Sequence, residues 1–144
     1  MDLIKTGSSS LLYSMLKKAI ILFLLILPSA VFAQFPDCSR FKEGKFRVAD
    51  TEAGVITIAE RKGMYQTESS ESLKLMLRFR ISWQDNCSFT LRLDKVLRNE
   101  NKIDIPSGME VRVKILETAA NSYTQEISSS LTNHPYKVQA TKIN

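Results

Sequence analysis

From Leu73 to Trp83 the chain alternates with a period of two. Every odd position (Leu73, Leu75, Leu77, Phe79, Ile81, Trp83) is large and apolar, and the even positions are Lys, Met, Arg, Arg and Ser. A strand sends successive side chains to opposite faces, so this run predicts a long strand with one buried and one wet face. Gln84-Asp85-Asn86 has the composition of a turn. The alternation resumes in Cys87, Phe89, Leu91 and Leu93, with Ser88, Thr90, Arg92 and Asp94 on the other side. Two such runs joined by three polar residues predict a hairpin. Its expected core is Leu75, Leu77, Phe79, Ile81, Trp83, Phe89, Leu91 and Leu93.

Weaker copies of the pattern flank this pair. Gly44 to Val48 puts Phe46 and Val48 on one face. Val55 to Glu60 is β-branched and lies between turn-prone Asp50 to Gly54 and a second turn at Lys62-Gly63. Met64 to Glu68 continues the same ribbon, and Asn99 to Gly108 reads as a loop. Glu110 to Ile115 alternates again, Ala119 to Ser122 turns the chain into Tyr123 to Ile127, and a last short strand lies in Tyr136 to Ala140. Six to seven short strands joined by tight turns predict an all-β, antiparallel up-and-down meander, closed as a small barrel or folded as a sandwich. An immunoglobulin topology is disfavoured, because Trp83 stands only four residues before Cys87 and Asp85 holds the place of the expected Tyr.

The first part of the chain has a different character. Lys17 and Lys18 precede the uncharged apolar run Ala19 to Leu27, Pro28 follows, and Val31-Phe32-Ala33 places small residues at the −3 and −1 positions. That order is a secretory signal whose apolar part is too short to span a bilayer. Residues 1–33 are therefore expected to be a signal peptide, with Met15 a better-proportioned start than Met1. Cleavage near Ala33 leaves residues 34–144, one mature domain of 111 residues, with no transmembrane segment expected in it. The expected location is periplasmic or extracellular.

Compartment bears on the cysteines. Cys38 and Cys87 are the only two in the chain, and in an oxidising compartment two cysteines usually form one bridge. A redox pair or metal ligation fits poorly: there is no Cys-x-x-Cys, and the single histidine, His134, sits beside Pro135 in a loop-like stretch. No metal and no cofactor is expected. The mature part carries seventeen basic and fourteen acidic residues, a net charge of +3, which allows weak attraction to anionic surfaces and requires none.

Cys38-Ser-Arg-Phe-Lys-Glu-Gly44-Lys-Phe46, Gln66-Thr-Glu68 and Trp83-Gln-Asp-Asn-Cys87-Ser-Phe89 resemble a group of small exported proteins of Bacteroidota-type bacteria. That group has a Cys-x5-Gly-x-Phe opening, a Gln-x-Glu pair and a Trp-x3-Cys-x-aromatic hairpin, followed by a strand like Val111 to Thr118 and a Tyr like Tyr123. The likeness runs from about Cys38 to Tyr123. The chain departs from it at Phe89, where Tyr is commoner, and between Ala59 and Lys62, where an Ile-x-Arg strand is usual. The resemblance implies compartment and fold and adds no catalytic residue. A topoisomerase label sometimes attached to such proteins conflicts with a chain of this size that has neither a nucleotide loop nor room for a DNA gate.

Three sets of residues are candidates for function. The outward face of the central strands carries Lys74, Arg78, Arg80 and Arg92, which Arg112 and Lys114 extend if the later strand lies alongside. Such a stripe suits an anionic envelope component; the plainer alternative is a solvated face, with Glu110 and Asp94 offsetting the charge. Nucleic acid is not an expected partner, since no aromatic residues interleave with the stripe. The apolar residues of the same strands would line a lipid cavity if the sheet closes, and Gly44-Lys45-Phe46 resembles the Gly-x-Trp that opens lipocalin barrels. A filled interior is nonetheless expected, because 111 residues is short for eight strands and a cavity. Glu68 and Glu71 form a possible carboxylate pair for acid–base work, but the Ser-rich stretch Thr67 to Ser72 suggests a solvated turn. Asn86-Cys87-Ser88 matches a glycosylation sequon in form only. The residues thus point to an exported, non-catalytic β-domain that binds or scaffolds an envelope component. A lipocalin-like carrier of a small apolar ligand is the alternative, and an uncharacterised enzyme the third.

Overall fold

The computed structural model describes Tyr13, Met15, Leu16 and residues 36–143. The chain divides into two compact units, Met1–Gln34 and Phe35–Asn144. In the first, the three described residues are helical, and the expected signal-peptide features lie outside the described residues. The second unit is a closed antiparallel barrel of eight strands in up-and-down order: β1 (Gly44–Asp50), β2 (Val55–Lys62), β3 (Tyr65–Ser70), β4 (Leu75–Trp83), β5 (Ser88–Asn99), β6 (Glu110–Thr118), β7 (Ser122–Ser129) and β8 (Tyr136–Ile143). Pairing of β1 with β8 closes the ring. The up-and-down barrel expected from the turn spacing is present. Its strand count is eight rather than six or seven, because Tyr65–Ser70 and Tyr136–Ile143 are both full strands.

Local chemistry explains the connections. Lys62 pairs with Tyr65, leaving a two-residue turn whose first member, Gly63, has φ 59°, a region that costs glycine nothing. Gly44 opens β1 at φ 128°, and a Cβ there would stand 2.8 Å from the Lys142 side chain. The chain enters the barrel there because the residue is glycine.

The central hairpin keeps the expected phase, with Ile81 opposite Leu91 and Trp83 opposite Phe89. Its far end differs from expectation. The strand β4 starts at Leu75, while Leu73 and Lys74 lie in the preceding turn, where Lys74 takes φ 47°. Lys74 is thus a turn residue and not part of the strand's outer face. The partner strand continues past Leu93 to Asn99, and bulges at Asp94 and Leu97 reset its register. Beyond Arg92, which pairs with Glu110, β5 has no β6 partner and runs against β4 alone, on a stretch of β4 that also pairs with β3, so this end of β5 has one open edge. Val96 and Leu97 are exposed on it.

One end of the barrel is packed solid. Phe41, Phe46, Phe79, Phe89, Leu91, Ile115 and Tyr123 are fully buried. The short 3-10 turn Ser39–Phe41 lies across this end. Phe41 meets Tyr123 at 4.9 Å between ring centres, and Phe46 meets Tyr123 at 5.7 Å. The Cys38–Cys87 disulfide, with Cα atoms 5.3 Å apart, pins this turn to the β4–β5 connection; a loop of 49 residues closed this way contributes about 4 kcal/mol in the chain-entropy model. Arg40 donates to the Ala119 carbonyl and Lys142 to the Arg40 carbonyl, which ties the plug to the β6–β7 turn and to β8. Of the expected core, Leu77, Phe79, Ile81, Phe89 and Leu91 are buried. Leu75, Trp83 and Leu93 pack against that core while remaining half-buried. Trp83 sits at the rim of the plugged end, 4.5 Å from Phe89 and under the Lys42 ammonium.

Candidate binding cavity

The other half of the barrel is hollow. A cavity of about 350 Å³ runs from the plug to the opposite end, which corrects the expectation of a filled interior. Its walls are apolar over much of their area: Val48, Val55, Leu91, Val111, Val113 and Val138 face it. The inward residues here include five valines with alanine, serine and threonine among them, where the plugged end is filled by Phe41, Phe46 and Tyr123. Eight strands fix the ring's width, so short side chains leave it unfilled. Asp50, Ala53, Leu131, Thr132 and Tyr136 frame the mouth.

The floor is polar and built around Arg61, which is 3% exposed. Strand alternation sends Arg61 inward with Ala59, and its guanidinium lies 4.6 Å from both the Phe46 and Phe89 ring centres, a cation–π arrangement that desolvation strengthens. Each of its three nitrogens donates: Nε to Gln66 Oε1 at 2.6 Å, Nη1 to the Phe41 carbonyl at 2.8 Å, and Nη2 to the Tyr123 hydroxyl at 2.7 Å. Arg61 therefore holds the plug, β3 and β7 together. Gln66 passes the contact on, donating from Nε2 to Glu68 Oε1 at 2.6 Å.

Glu68 and Gln125 face the cavity above this floor. The turn reading of Glu68 is corrected: it lies within β3 and points inward, while Glu71 lies in the next turn, paired at 2.6 Å with Arg98 on the outside. The two are not a carboxylate pair. Desolvation by burial pushes the Glu68 carboxyl pKa up, opposed by the Gln66 hydrogen bond and the Arg61 charge. Burial likewise raises the Tyr123 hydroxyl, opposed by Arg61. At the mouth, burial and then the charges of Asp50 and Glu68 raise Tyr136. Gln125 is 4% exposed, and its Oε1 has no hydrogen-bond partner.

The outer basic residues do come near one another, with acids among them. Arg78 pairs with Asp94 at 2.6 Å, Arg92 and Arg112 share Glu110 at 2.9 and 3.2 Å, and Lys74 meets Glu100 at 3.8 Å. Arg80 lies over the Tyr65 ring at 5.7 Å, and Lys114 is exposed opposite Glu126. Charges stand at mid-strand around the outer wall, as in Lys45, Arg47, Glu60 and Arg78, whereas a membrane barrel shows an apolar band there. His134 lies in an exposed turn. Among the described residues no cluster of His, Cys, Asp and Glu could hold a metal ion.

Reading the sequence for apolar alternation missed Arg61, Gln66 and Gln125, which are polar residues at inward positions. Apart from the Gln-x-Glu pair quoted in the resemblance, the available signal was phase: Arg61 is two residues from Ala59, and Gln66 and Glu68 share parity. Compared with known proteins, the chain matches no family model, no curated protein and no solved structure.

Proposed function

We propose that this disulfide-bonded barrel is an exported, non-catalytic carrier that holds one small, largely apolar ligand in its interior. The supporting observation is the cavity itself, about 350 Å³, blind at the plugged end and lined by valines. Ligand pockets run from roughly 300 to 1,000 Å³ with apolar walls and a few placed polar groups, so the site suits a compact ligand. Binding to an anionic surface through the outer stripe is less well supported, since Asp94, Glu100 and Glu110 offset much of its charge.

Export is supported by the signal pattern of residues 17–33 and by the disulfide. Membership of the exported Bacteroidota-type group draws support from position. The residues that carry the resemblance gather toward one end of the barrel: Cys38 and Cys87 bonded, Gly44 at the strand entry, Phe46 and Tyr123 in the aromatic cluster, Gln66 on the cavity floor and Glu68 just above it.

The test is titration of the purified protein with N-phenyl-1-naphthylamine, an uncharged probe that brightens in apolar surroundings. Saturable binding near one probe per chain is expected. Val111→Trp, which fills the cavity from its wall, should abolish it, while Ile56→Trp on the outer wall should not. A parent that shows no saturable binding, or a folded Val111→Trp variant that binds like the parent, overturns the carrier reading.

A further inference from the structure

Only some apolar molecules suit this cavity, and its polar groups say which. Glu68 on β3 and Gln125 on β7 both line it, and their strands lie four places apart in a ring of eight, on facing walls. The Gln125 amide oxygen is sealed from the cavity by its neighbours and has no partner. Across the cavity, Glu68 has one carboxyl oxygen engaged by Gln66. A second acid, Asp50, stands at the mouth.

The lining holds one cation, Arg61. Each of its nitrogens already donates within the protein, and Phe46 and Phe89 flank its guanidinium plane. It is part of the floor and is not presented to a ligand. A carboxylate-headed molecule entering here would meet two acids and a guanidinium already engaged by Gln66, Phe41 and Tyr123. An amine-headed molecule would meet the Glu68 carboxylate, with valine around its chain.

Resting on the carrier reading, we propose that the cavity selects amphiphiles with a protonated amine head, which donates to Glu68 while the apolar part points toward the mouth. The head's charge replaces the solvent that Glu68 loses on burial, and charge-assisted hydrogen bonds of this kind are the stronger class. Glu68 and Asp50 discriminate against fatty acids of equal length, because like charges brought together in a water-poor site repel.

The experiment is displacement of bound N-phenyl-1-naphthylamine by decylamine, decanol and decanoate at neutral pH. Decylamine should displace the probe at a concentration at least about tenfold below that needed for decanoate, with decanol between them. Glu68→Gln should bring the amine and the acid within about threefold of each other, each measured relative to that variant's own probe affinity. If decanoate matches or surpasses decylamine, or decanol matches it, the amine selectivity is wrong although the cavity still binds. The selectivity is equally wrong if Glu68→Gln keeps the full amine preference. If the probe itself never binds, the carrier reading fails first, and the two failures are thus told apart.

Discussion

The two ends of this barrel share the same strands and differ in what those strands point inward. At the plugged end, Phe41, Phe46, Phe89 and Tyr123 fill the ring, with the Arg61 guanidinium held between aromatic faces and the disulfide fastening the plug from outside. At the open end valine, alanine, serine and threonine stand among the inward residues, leaving a cavity of about 350 Å³. A small domain is stable by only about 5–15 kcal/mol, and a hollow half gives up packing that a filled core would provide. Concentrating large aromatics, one buried cation and the covalent bridge at one end lets the other end stay empty. Structure and binding are assigned to different halves of one sheet.

The strongest way to break that division is to remove its central piece. Arg61→Ala would leave the Gln66 amide oxygen, the Phe41 carbonyl and the Tyr123 hydroxyl without their donor, and would open a void between Phe46 and Phe89. Truncating one member of a buried, hydrogen-bonded charge network costs about 3–5 kcal/mol, comparable to the whole stability of a domain this size. Urea unfolding should show the variant largely unfolded at room temperature. A midpoint near that of the parent would mean that the plug and the disulfide hold the closed end without Arg61.

That residue also shows where the sequence was legible and where it was not. Alternation fixed the phase of β4 and the first part of β5, because their inward residues are large and apolar, from Leu77 to Trp83 and from Phe89 to Leu93. It was lost at Asp94 and Leu97, where bulges add residues and shift the phase, and again after Ile115, where β6 and β7 slip register. The strand β3 was the hardest to recognise. Its inward set is Gln66, Glu68 and Ser70, so the polar lining of the cavity reads in one dimension as a solvated turn. A period-two test assumes that the inside is apolar, which holds for the plugged end and fails for the floor of the site. Bridging by Cys38 and Cys87 was legible because compartment and number left few other partners.

A subtler effect is expected from the site's own carboxylate. Burial makes the folded state hold the Glu68 proton more tightly than the unfolded chain does. The stabilising effect of that proton is complete below the ordinary glutamate value of 4.5 and is lost as pH rises from there through the higher folded value. Arg61 and the Gln66 hydrogen bond oppose the rise without reversing it, while Asp50 and Tyr136 face the same space from the mouth. Glu68→Gln keeps an acceptor for Gln66 and cannot ionise. It should melt close to the parent at pH 4 and increasingly above it as pH rises to 8, as followed by calorimetry. A gap that closes with rising pH would show a carboxylate stabilised by its surroundings, and with it a cavity of the opposite character.

The smallest effect separates the inner wall from the outer one. Arg78, Arg80 and Arg92 point outward from β4 and β5, opposite the buried Leu77, Phe79 and Leu91. Arg78 and Arg92 are paired with Asp94 and Glu110, and Arg78 and Arg80 lie over the Tyr65 ring at 5.0 and 5.7 Å. Exposed ion pairs are each worth about 0–1 kcal/mol, and exposed cation–π contacts about 0.5–1 kcal/mol. Replacing all three with Ser should therefore lower the melting temperature by only a few degrees and leave probe binding in the cavity unchanged. Anionic vesicles provide the second readout. With Asp94 and Glu110 interleaved, the parent's adhesion should be weak and should fade by 0.1 M salt, where screening acts over about 10 Å. The triple variant should resemble the parent above that salt concentration. Strong adhesion by the parent at 0.15 M salt, lost in the triple variant, would move the functional surface from the cavity to the outer wall. Unfolding of the variant would instead make these arginines part of what holds the barrel closed, and would erase the distinction between its two faces.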